Sequence, residues 1–237
     1  MEIVIFLYNG VTALDAIGPY EVLSKLPGAN VKFVAEEKGV IVSDNHFLKL
    51  IAEYDISEIS TADILLIPGS VIGFVREIKK ETIKAWIRKI HESTIWTASV
   101  CTGSFILAAA GLLAGLQVAT HWAALHLLRE YGAIPSNKRF IQEGKIITAQ
   151  GVSAGIDMAL YIASQIAGID EARSYQLLIE YFPEPPLGIN LIEDTPQEIY
   201  TMAKKVMNVD IKKDLSFTDF AKNLPALMKF RGRNILS

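Results

Sequence analysis

The stretch IWTASVCTGSFILAAAG, residues 95–111, places a short apolar strand directly before a helix. Its first half is typical of a strand buried on both faces of a sheet, and its second half consists of small and apolar residues that suit a helix. Cys101 occupies the turn between the two. Such a turn strains its central residue, lifts that side chain above the sheet edge and needs small neighbours, here Ser99 and Gly103. The stretch therefore predicts a nucleophile elbow centred on Cys101.

Short apolar runs alternate with longer segments of helical period along most of the chain. Five strands are predicted, at Ile3–Tyr8, Val31–Ala35, Ile64–Ile67, Ile95–Val100 and Lys145–Thr148. Six helices are predicted, at Leu14–Leu26, Glu81–Glu92, Thr102–Leu112, His121–Tyr131, Ala154–Ala167 and Glu171–Phe182. The connections are short and marked by glycine or proline. This pattern predicts an α/β fold with a doubly wound, mainly parallel sheet that is sandwiched by helices.

The C-terminal part differs in composition from the rest of the chain. With 237 residues, 51% of them hydrophobic, the chain fits one large domain or one domain with an appendage. Three prolines and a glycine follow Phe182 closely, so we expect an α/β domain over residues 1–188 and a helical extension over 189–237. Within this extension, the sequence TPQE at 195–198 resembles a capping box and predicts a helix to about Met207.

Charge, the length of the apolar runs and the cysteine content indicate which partners and which cellular compartment to expect. A net charge of -3 and a pI near 5.9 offer no basic field, so nucleic acid is not expected as a partner. The first apolar run, Ile3–Tyr8, is too short for a signal or membrane helix, so we expect a cytoplasmic protein without a membrane partner. A single cysteine excludes an intrachain disulfide, which is consistent with a reducing compartment.

Cys101 has two interpretations. A lone cysteine is most often a small buried hydrophobe. Its position at a strand-to-helix turn favours the second interpretation, in which the amides and dipole of the helix lower the thiol pKa and make the sulfur a nucleophile. The four histidines and one cysteine show no metal-ligand spacing, so neither a metal nor an organic cofactor is expected.

Two polar residues are predicted at the same edge of the sheet as Cys101. Asp15 lies in the first turn of the helix that follows the first strand. It could take part in catalysis, or it could only compensate the helix dipole. His121 ends a short predicted strand that begins at Gln117, and it is a candidate substrate-binding residue, although a lone histidine is usually structural.

Seven short motifs carry a resemblance to a known family. They are GVT at 10–12, LD at 14–15, GPYEVL at 18–23, IPG at 67–69, VCTGS at 100–104, AAGLL at 109–113 and ATHW at 119–122. Together they resemble the ThiJ/PfpI superfamily, and in particular its branch that is similar to isonitrile hydratase, over about residues 1–188. The resemblance implies a flavodoxin-like, amidotransferase-like fold, and it suggests a homodimer that acts on a small molecule.

The resemblance also implies roles for individual residues. Cys101 would be the nucleophile, the carboxyl group of Asp15 would contact its sulfur, and Thr102 would take part in catalysis. Backbone amides at Gly69 and Ser70 would join those of the elbow in a pocket for an anionic intermediate. The implied reaction is the hydration of an isonitrile to an N-substituted formamide.

Other members of the superfamily offer alternatives. Glyoxalase-like or deglycase-like chemistry on small aldehydes would use the same nucleophile and acid, and a non-enzymatic redox or stress sensor would use the sulfur alone. Peptidase-like members have a histidine after the nucleophile, where this chain has Thr102. Transcription regulators carry a long helix-turn-helix domain, whereas the residues after 188 are few and show no basic clustering.

Overall fold

A seven-stranded sheet lies at the centre of the protein, in a computed structural model that describes residues 1–189 and 192–214. This described part contains eleven strands: β1 (Glu2–Phe6), β2 (Asn30–Ala35), β3 (Gly39–Val42), β4 (Lys49–Ala52), β5 (Tyr54–Asp55), β6 (Ile64–Ile67), β7 (Trp96–Val100), β8 (Gln117–Val118), β9 (Ile134–Pro135), β10 (Phe140–Glu143) and β11 (Ile146–Ala149). The order in the main sheet is β10-β11-β7-β6-β1-β2-β5, and every pair is parallel except β10 with β11.

Helices flank this sheet. They are α1 (Ala13–Leu23), α2 (Phe74–Glu77), α3 (Glu81–Ser93), α4 (Gly103–Ala109), α5 (Ala154–Ala167), α6 (Ile169–Leu178) and α7 (Gln197–Asp214). One group is formed by α1, α5 and α6, and a second by α2, α3 and α4. The close approach of α5 to α1 and β7 depends on Gly155, where a Cβ would lie 3.0 Å from Val100 and 3.1 Å from Pro19.

The predicted fold class is confirmed. Strands β1, β6 and β7 occupy the middle of the sheet, and nearly all of their residues are buried because helices cover both faces. All five predicted strands are present, with ends that agree to within two residues. The carboxyl ends of β1, β6 and β7 therefore open at one edge, which is where ligands bind in doubly wound folds.

One predicted helix is wrong. The segment predicted as a helix at His121–Tyr131 forms only a 3₁₀-helix over Leu125–Tyr131, preceded by turns. Its turns close between residues three apart, as from the Ala124 amide to the His121 carbonyl. The apolar pattern read as a longer helix serves instead to bury Leu127 and Leu128.

The C-terminal helix starts close to its predicted position and runs further. The capping motif predicted a helix that ends near Met207, whereas α7 continues to Asp214. The rest of the predicted extension, residues 215–237, lies outside the described residues, and the domain boundary at 188 stays a prediction. None of the helices in the described ranges is both long enough and apolar enough to cross a membrane.

Candidate active site

The turn between β7 and α4 holds Cys101 in the left-handed region of backbone conformation. Its φ angle is 57°, a value that costs energy for a residue with a Cβ atom. Gly103 makes the turn sterically possible, because a Cβ at this position would lie 2.1 Å from the carbonyl oxygen of Ile67. The predicted strand-to-helix elbow is therefore present.

Hydrogen bonds fix the backbone of Cys101 on both sides. Its amide donates to the carbonyl of Gln150 at 2.9 Å, and its carbonyl accepts from the hydroxyl of Thr120 at 2.7 Å. The hydroxyl of Ser104 donates to the same carbonyl at 3.2 Å. These bonds offset the conformational strain, so the position of the sulfur is defined by the surrounding strands rather than by α4 alone.

Gly69 is the point where the three groups of the site meet. A Cβ on this residue would lie 2.5 Å from the Thr102 amide nitrogen, 2.8 Å from the Cβ of Cys101 and 2.9 Å from Oδ2 of Asp15. No side chain fits in that space. The loop after β6 is thus pressed against the elbow and against α1, as the sequence motif IPG at 67–69 implied.

Asp15 is fully buried, and its carboxyl group faces the loop and the elbow. Oδ2 accepts a hydrogen bond from the Gly69 amide at 3.0 Å, whereas Oδ1 has no partner among the described residues. The pKa of this carboxyl is raised to about 7, chiefly because it is buried and to a smaller extent by the charge of Asp44, while the bonds from Gly69 and Cys101 act in the opposite direction. Asp15 therefore retains a proton close to neutral pH.

This arrangement bears on the alternative interpretation of Asp15 as a helix-dipole residue. The carboxyl group lies in the first turn of α1, but its hydrogen-bond donor is the amide of Gly69, in the loop after β6. A dipole-compensating carboxylate gains from being charged and is usually exposed. Burial of Asp15 instead favours its neutral form, so compensation of the helix dipole does not explain its position.

The sulfur of Cys101 does not have the low pKa expected from the sequence. Burial raises the thiol pKa well above its usual range, and the charge of Asp15 raises it as well. The amide and hydroxyl of Thr102 act in the other direction, as bonds from a helix start should. A low thiol pKa was expected from the helix dipole, but α4 has only seven residues. Cys101 is also only 5% exposed and lies beside a second acid, Asp15, and both factors oppose ionisation of the thiol.

Thr102 and Ser70 join the elbow to the loop after β6. The hydroxyl of Thr102 donates to the Ser70 carbonyl at 2.7 Å and accepts from the Ser70 amide at 2.9 Å. The hydroxyl of Ser70 accepts from the Phe74 amide at 2.7 Å, at the start of α2. The loop amides assigned to an anion pocket from the sequence, those of Gly69 and Ser70, therefore already donate within the protein, to Asp15 and to Thr102.

His121 follows Thr120, the residue whose hydroxyl binds the carbonyl of Cys101. Its ring packs on Gly151, where a Cβ would be 2.8 Å from Cδ2 of the histidine. In the described part of the chain, no hydrogen bond or ion pair joins His121 to Cys101. Burial lowers the pKa of His121 to about 4, so the ring is neutral near pH 7, and Nδ1 accepts from the Ala123 amide at 3.4 Å.

Two supporting residues were not anticipated from the sequence. Thr120 holds the elbow carbonyl, and the buried hydroxyl of Tyr8 donates to the Pro68 carbonyl at 3.0 Å. A signal was available for both, because Tyr8 ends the first predicted strand and Thr120 belongs to the motif ATHW at 119–122. Within residues 1–189 and 192–214, no cluster of three or more His, Cys, Asp or Glu side chains is arranged to hold a metal ion.

Comparison with known proteins identifies the family and several relatives of this chain. The DJ-1/PfpI family model matches residues 1–165. Isonitrile hydratase of Pseudomonas putida is 34% identical over 221 residues, which covers 93% of this chain and 96% of that protein. The crystal structure of a ThiJ/PfpI family protein from Pseudomonas syringae has a TM-score of 0.84 at 28% identity and covers 90% of this chain and 88% of its own.

The transcription regulators of the same superfamily match a smaller part of the chain. The HTH-type transcriptional regulator CdhR of Pseudomonas aeruginosa is 33% identical over 85 residues, which covers 35% of this chain and 25% of that protein. This similarity concerns a fraction of the regulator and leaves most of its length unmatched.

Proposed function

The chain belongs to the DJ-1/PfpI family, and from this membership and the geometry around Cys101 we propose that it is an enzyme that hydrates isonitriles to N-substituted formamides. The observation that carries the proposal is the buried carboxyl group of Asp15 beside the sulfur, with a pKa of about 7 and one oxygen that has no partner among the described residues. A carboxyl that keeps its proton near neutral pH can act as a general acid.

Hydration of an isonitrile needs a proton donor and a nucleophile, and the carboxyl group of Asp15 and the sulfur of Cys101 can supply them beside Gly69. The terminal carbon of the isonitrile is converted to an electrophile by a proton, and a sulfur nucleophile can then add to the same carbon. In the proposed first step the neutral carboxyl of Asp15 gives its proton to this carbon while the thiolate of Cys101 forms the C–S bond. The product is a thioimidate on Cys101, and Asp15 becomes a carboxylate.

The thiolate required for this step comes from the pair of acids as a unit. The raised pKa values of Cys101 and Asp15 mean that the two groups together hold at least one proton at neutral pH. Because the pKa of Asp15 is about 7 and that of Cys101 is raised well above its usual range, the first proton lost from the pair leaves Asp15. Transfer of the thiol proton to this carboxylate then gives the reactive form, a thiolate beside a neutral carboxylic acid, and the amide of Thr102 stabilises the charge on sulfur.

Water completes the reaction in the second step. The carboxylate of Asp15 takes one proton from a water molecule, whose oxygen bonds to the thioimidate carbon, and the second water proton passes to the substrate nitrogen. The C–S bond then breaks, which releases the N-substituted formamide and returns the thiolate. Asp15 again holds its proton, so protons and electrons balance over the cycle.

Hydrogen bonds between the loop after β6, the elbow and α1 support this chemistry. They join Ser70 to Thr102 and Gly69 to Asp15, so the carboxyl group is held beside the elbow that carries the sulfur. We also expect a homodimer, from family membership, and a cytoplasmic location, from the short first apolar run. Size-exclusion chromatography with light scattering and cell fractionation would test these two expectations.

A turnover screen tests the proposal. Purified protein is mixed with small alkyl isonitriles and, separately, with methylglyoxal, and the products are followed by NMR. We expect formamide from wild type and from Glu77→Gln, which alters another buried carboxyl, but only a background rate from Cys101→Ser and Asp15→Asn. Turnover of methylglyoxal alone would select the glyoxalase-like alternative, and oxidation of Cys101 without any turnover would select the sensor.

A further inference from the structure

Three rings connect the elbow region with the C-terminal helix. The ring centroids of His121 and Trp122 are 5.3 Å apart, and those of Trp122 and Tyr200 are 4.7 Å apart. Tyr200 lies on α7, and the ammonium group of Lys204 lies 4.7 Å from the centre of its ring. The extension is therefore in contact with the segment that follows β8, and we call Trp122 and Tyr200 together the aromatic wall.

The aromatic wall is linked through His121 to the groups that hold the backbone of Cys101. Thr120 bonds to the carbonyl of Cys101, and Gln150 bonds to its amide. The residues that follow them, His121 and Gly151, are packed against each other. The ring of Trp122 contacts His121, so the aromatic wall begins two residues beyond the threonine that bonds to the elbow.

A second contact joins the C-terminal extension to the residues around Cys101. The side-chain amide of Asn137 donates to Oε1 of Glu193 at 3.0 Å, just before α7. The carbonyl of Asn137 in turn accepts from the side chain of Gln150 at 2.8 Å. Both attachments of the extension thus lead to residues that hold the backbone of Cys101, although Glu193 and Tyr200 are seven positions apart in the sequence.

These contacts end at the backbone of Cys101, a residue that is only 5% exposed, so a reagent can reach its sulfur only through a narrow opening. We propose that the aromatic wall bounds the passage to Cys101 and sets the size of the substituent that a substrate can carry. Trp122 and Tyr200 are thus specificity-determining residues. This size limit applies to any electrophile that reaches the sulfur. Only its application to isonitriles rests on the proposed function.

Alkylation of Cys101 tests the aromatic wall independently of the natural reaction. The second-order rate constants of iodoacetamide and of a bulky N-aryl iodoacetamide are measured at one fixed pH by mass spectrometry. We expect Tyr200→Ala to raise the rate of the bulky reagent about tenfold and that of iodoacetamide less than about twofold, as expected when a steric boundary is removed. Trp122→Leu, on the other side of the ring contact, should act in the same direction.

Two further variants serve as controls. Tyr200→Phe keeps the ring and should leave the ratio of the two rates unchanged. Tyr54→Ala removes a half-buried tyrosine that also lies under a lysine, Lys32 at 5.4 Å, on the outermost strand β5. An unchanged ratio in Tyr200→Ala, an equal increase for both reagents, or the same increase in Tyr54→Ala would overturn the proposal.

The same variants are then assayed with methyl and benzyl isonitrile. We expect kcat/KM to rise for the benzyl compound in Tyr200→Ala and to stay close to the wild-type value for the methyl compound. If wild type hydrates neither compound while the alkylation ratio still changes, the proposed function fails and the aromatic wall stands. If hydration occurs but neither the alkylation ratio nor the preference among isonitriles changes, the aromatic wall fails and the proposed function stands.

Discussion

Replacing Asp15 by asparagine is expected to lower turnover and, at the same time, to flatten the dependence of stability on pH. Asparagine has nearly the same shape, and its side-chain oxygen can accept the hydrogen bond from the Gly69 amide. It can neither donate a proton to carbon nor become an anion. Turnover of the substrate found by the screen should therefore fall about a hundredfold or more, the usual effect of losing a general acid-base group.

The size of the stability effect follows from the pKa of Asp15. In the unfolded chain the carboxyl ionises near 3.8, whereas in the folded protein it keeps its proton up to about pH 7. Between these values the folded state binds more protons, so the free energy of unfolding of wild type falls as pH rises and levels off above pH 7. At about 1.4 kcal/mol per pH unit, the total loss over this window is about 4 kcal/mol.

Urea denaturation at several pH values measures this difference. The introduced asparagine does not titrate, so the free energy of unfolding of Asp15→Asn relative to wild type should rise by about 4 kcal/mol between about pH 4 and about pH 8. Glu77→Gln is the matched control, because Glu77 is also buried with a raised pKa but is paired with Lys80 at 3.0 Å. That control should retain turnover. A pH-independent difference for Asp15→Asn, or unchanged turnover, would refute the reasoning.

Three further predictions concern Gly69, Thr102 and Cys101. Gly69→Ala should destabilise the fold by about 1–3 kcal/mol or more and abolish turnover, because the new methyl group would meet a backbone nitrogen at 2.5 Å. Thr102→Val should cost about 1–3 kcal/mol, since the buried amide and carbonyl of Ser70 lose their partner. The alkylation rate of Cys101 should keep rising above the usual thiol pKa of about 8.5, and Asp15→Asn should shift this profile to lower pH because a negative charge is removed.

Each of these predictions has its own control. Gly18→Ala places a methyl group 3.1 Å from Cγ1 of Ile156, a milder contact with a side chain rather than with the backbone, and should cost less stability than Gly69→Ala and keep turnover. Thr102→Ser restores the hydroxyl and should recover stability in urea. A stable and active Gly69→Ala, a Thr102→Val variant as stable as wild type, or an alkylation rate that levels off below about pH 8 would each contradict the corresponding prediction.

The central strands and the elbow could be predicted because neighbouring residues in the sequence determine them. An apolar run of five or six residues followed at once by small helical residues, as around Cys101, leaves few other solutions. The hairpin of β3 and β4 was missed because its residues are largely exposed and its loop lacks a two-residue turn motif. Strand β10 was missed because it pairs at the edge of the sheet, where its residues need not be apolar.

The position of the site residues was accessible from topology, but their protonation was not. The carboxyl ends of β1, β6 and β7 bring Asp15, Gly69 and Cys101 to one edge, as the sequence indicated. The thiol pKa depends on burial and on how close a second acid lies, and neither quantity is encoded in local sequence. The same holds for the contact between Trp122 and Tyr200, which are 78 positions apart and share no recognisable motif.

Rapid-quench mass spectrometry of Cys101 during turnover tests the central claim most directly. Wild-type protein is mixed with an isonitrile in excess, quenched within one turnover and digested, and the peptide that contains Cys101 is weighed. We predict that this peptide gains the mass of one isonitrile molecule and that the adduct disappears as formamide is released. Formamide that accumulates while Cys101 stays unmodified at every time point would contradict the covalent mechanism.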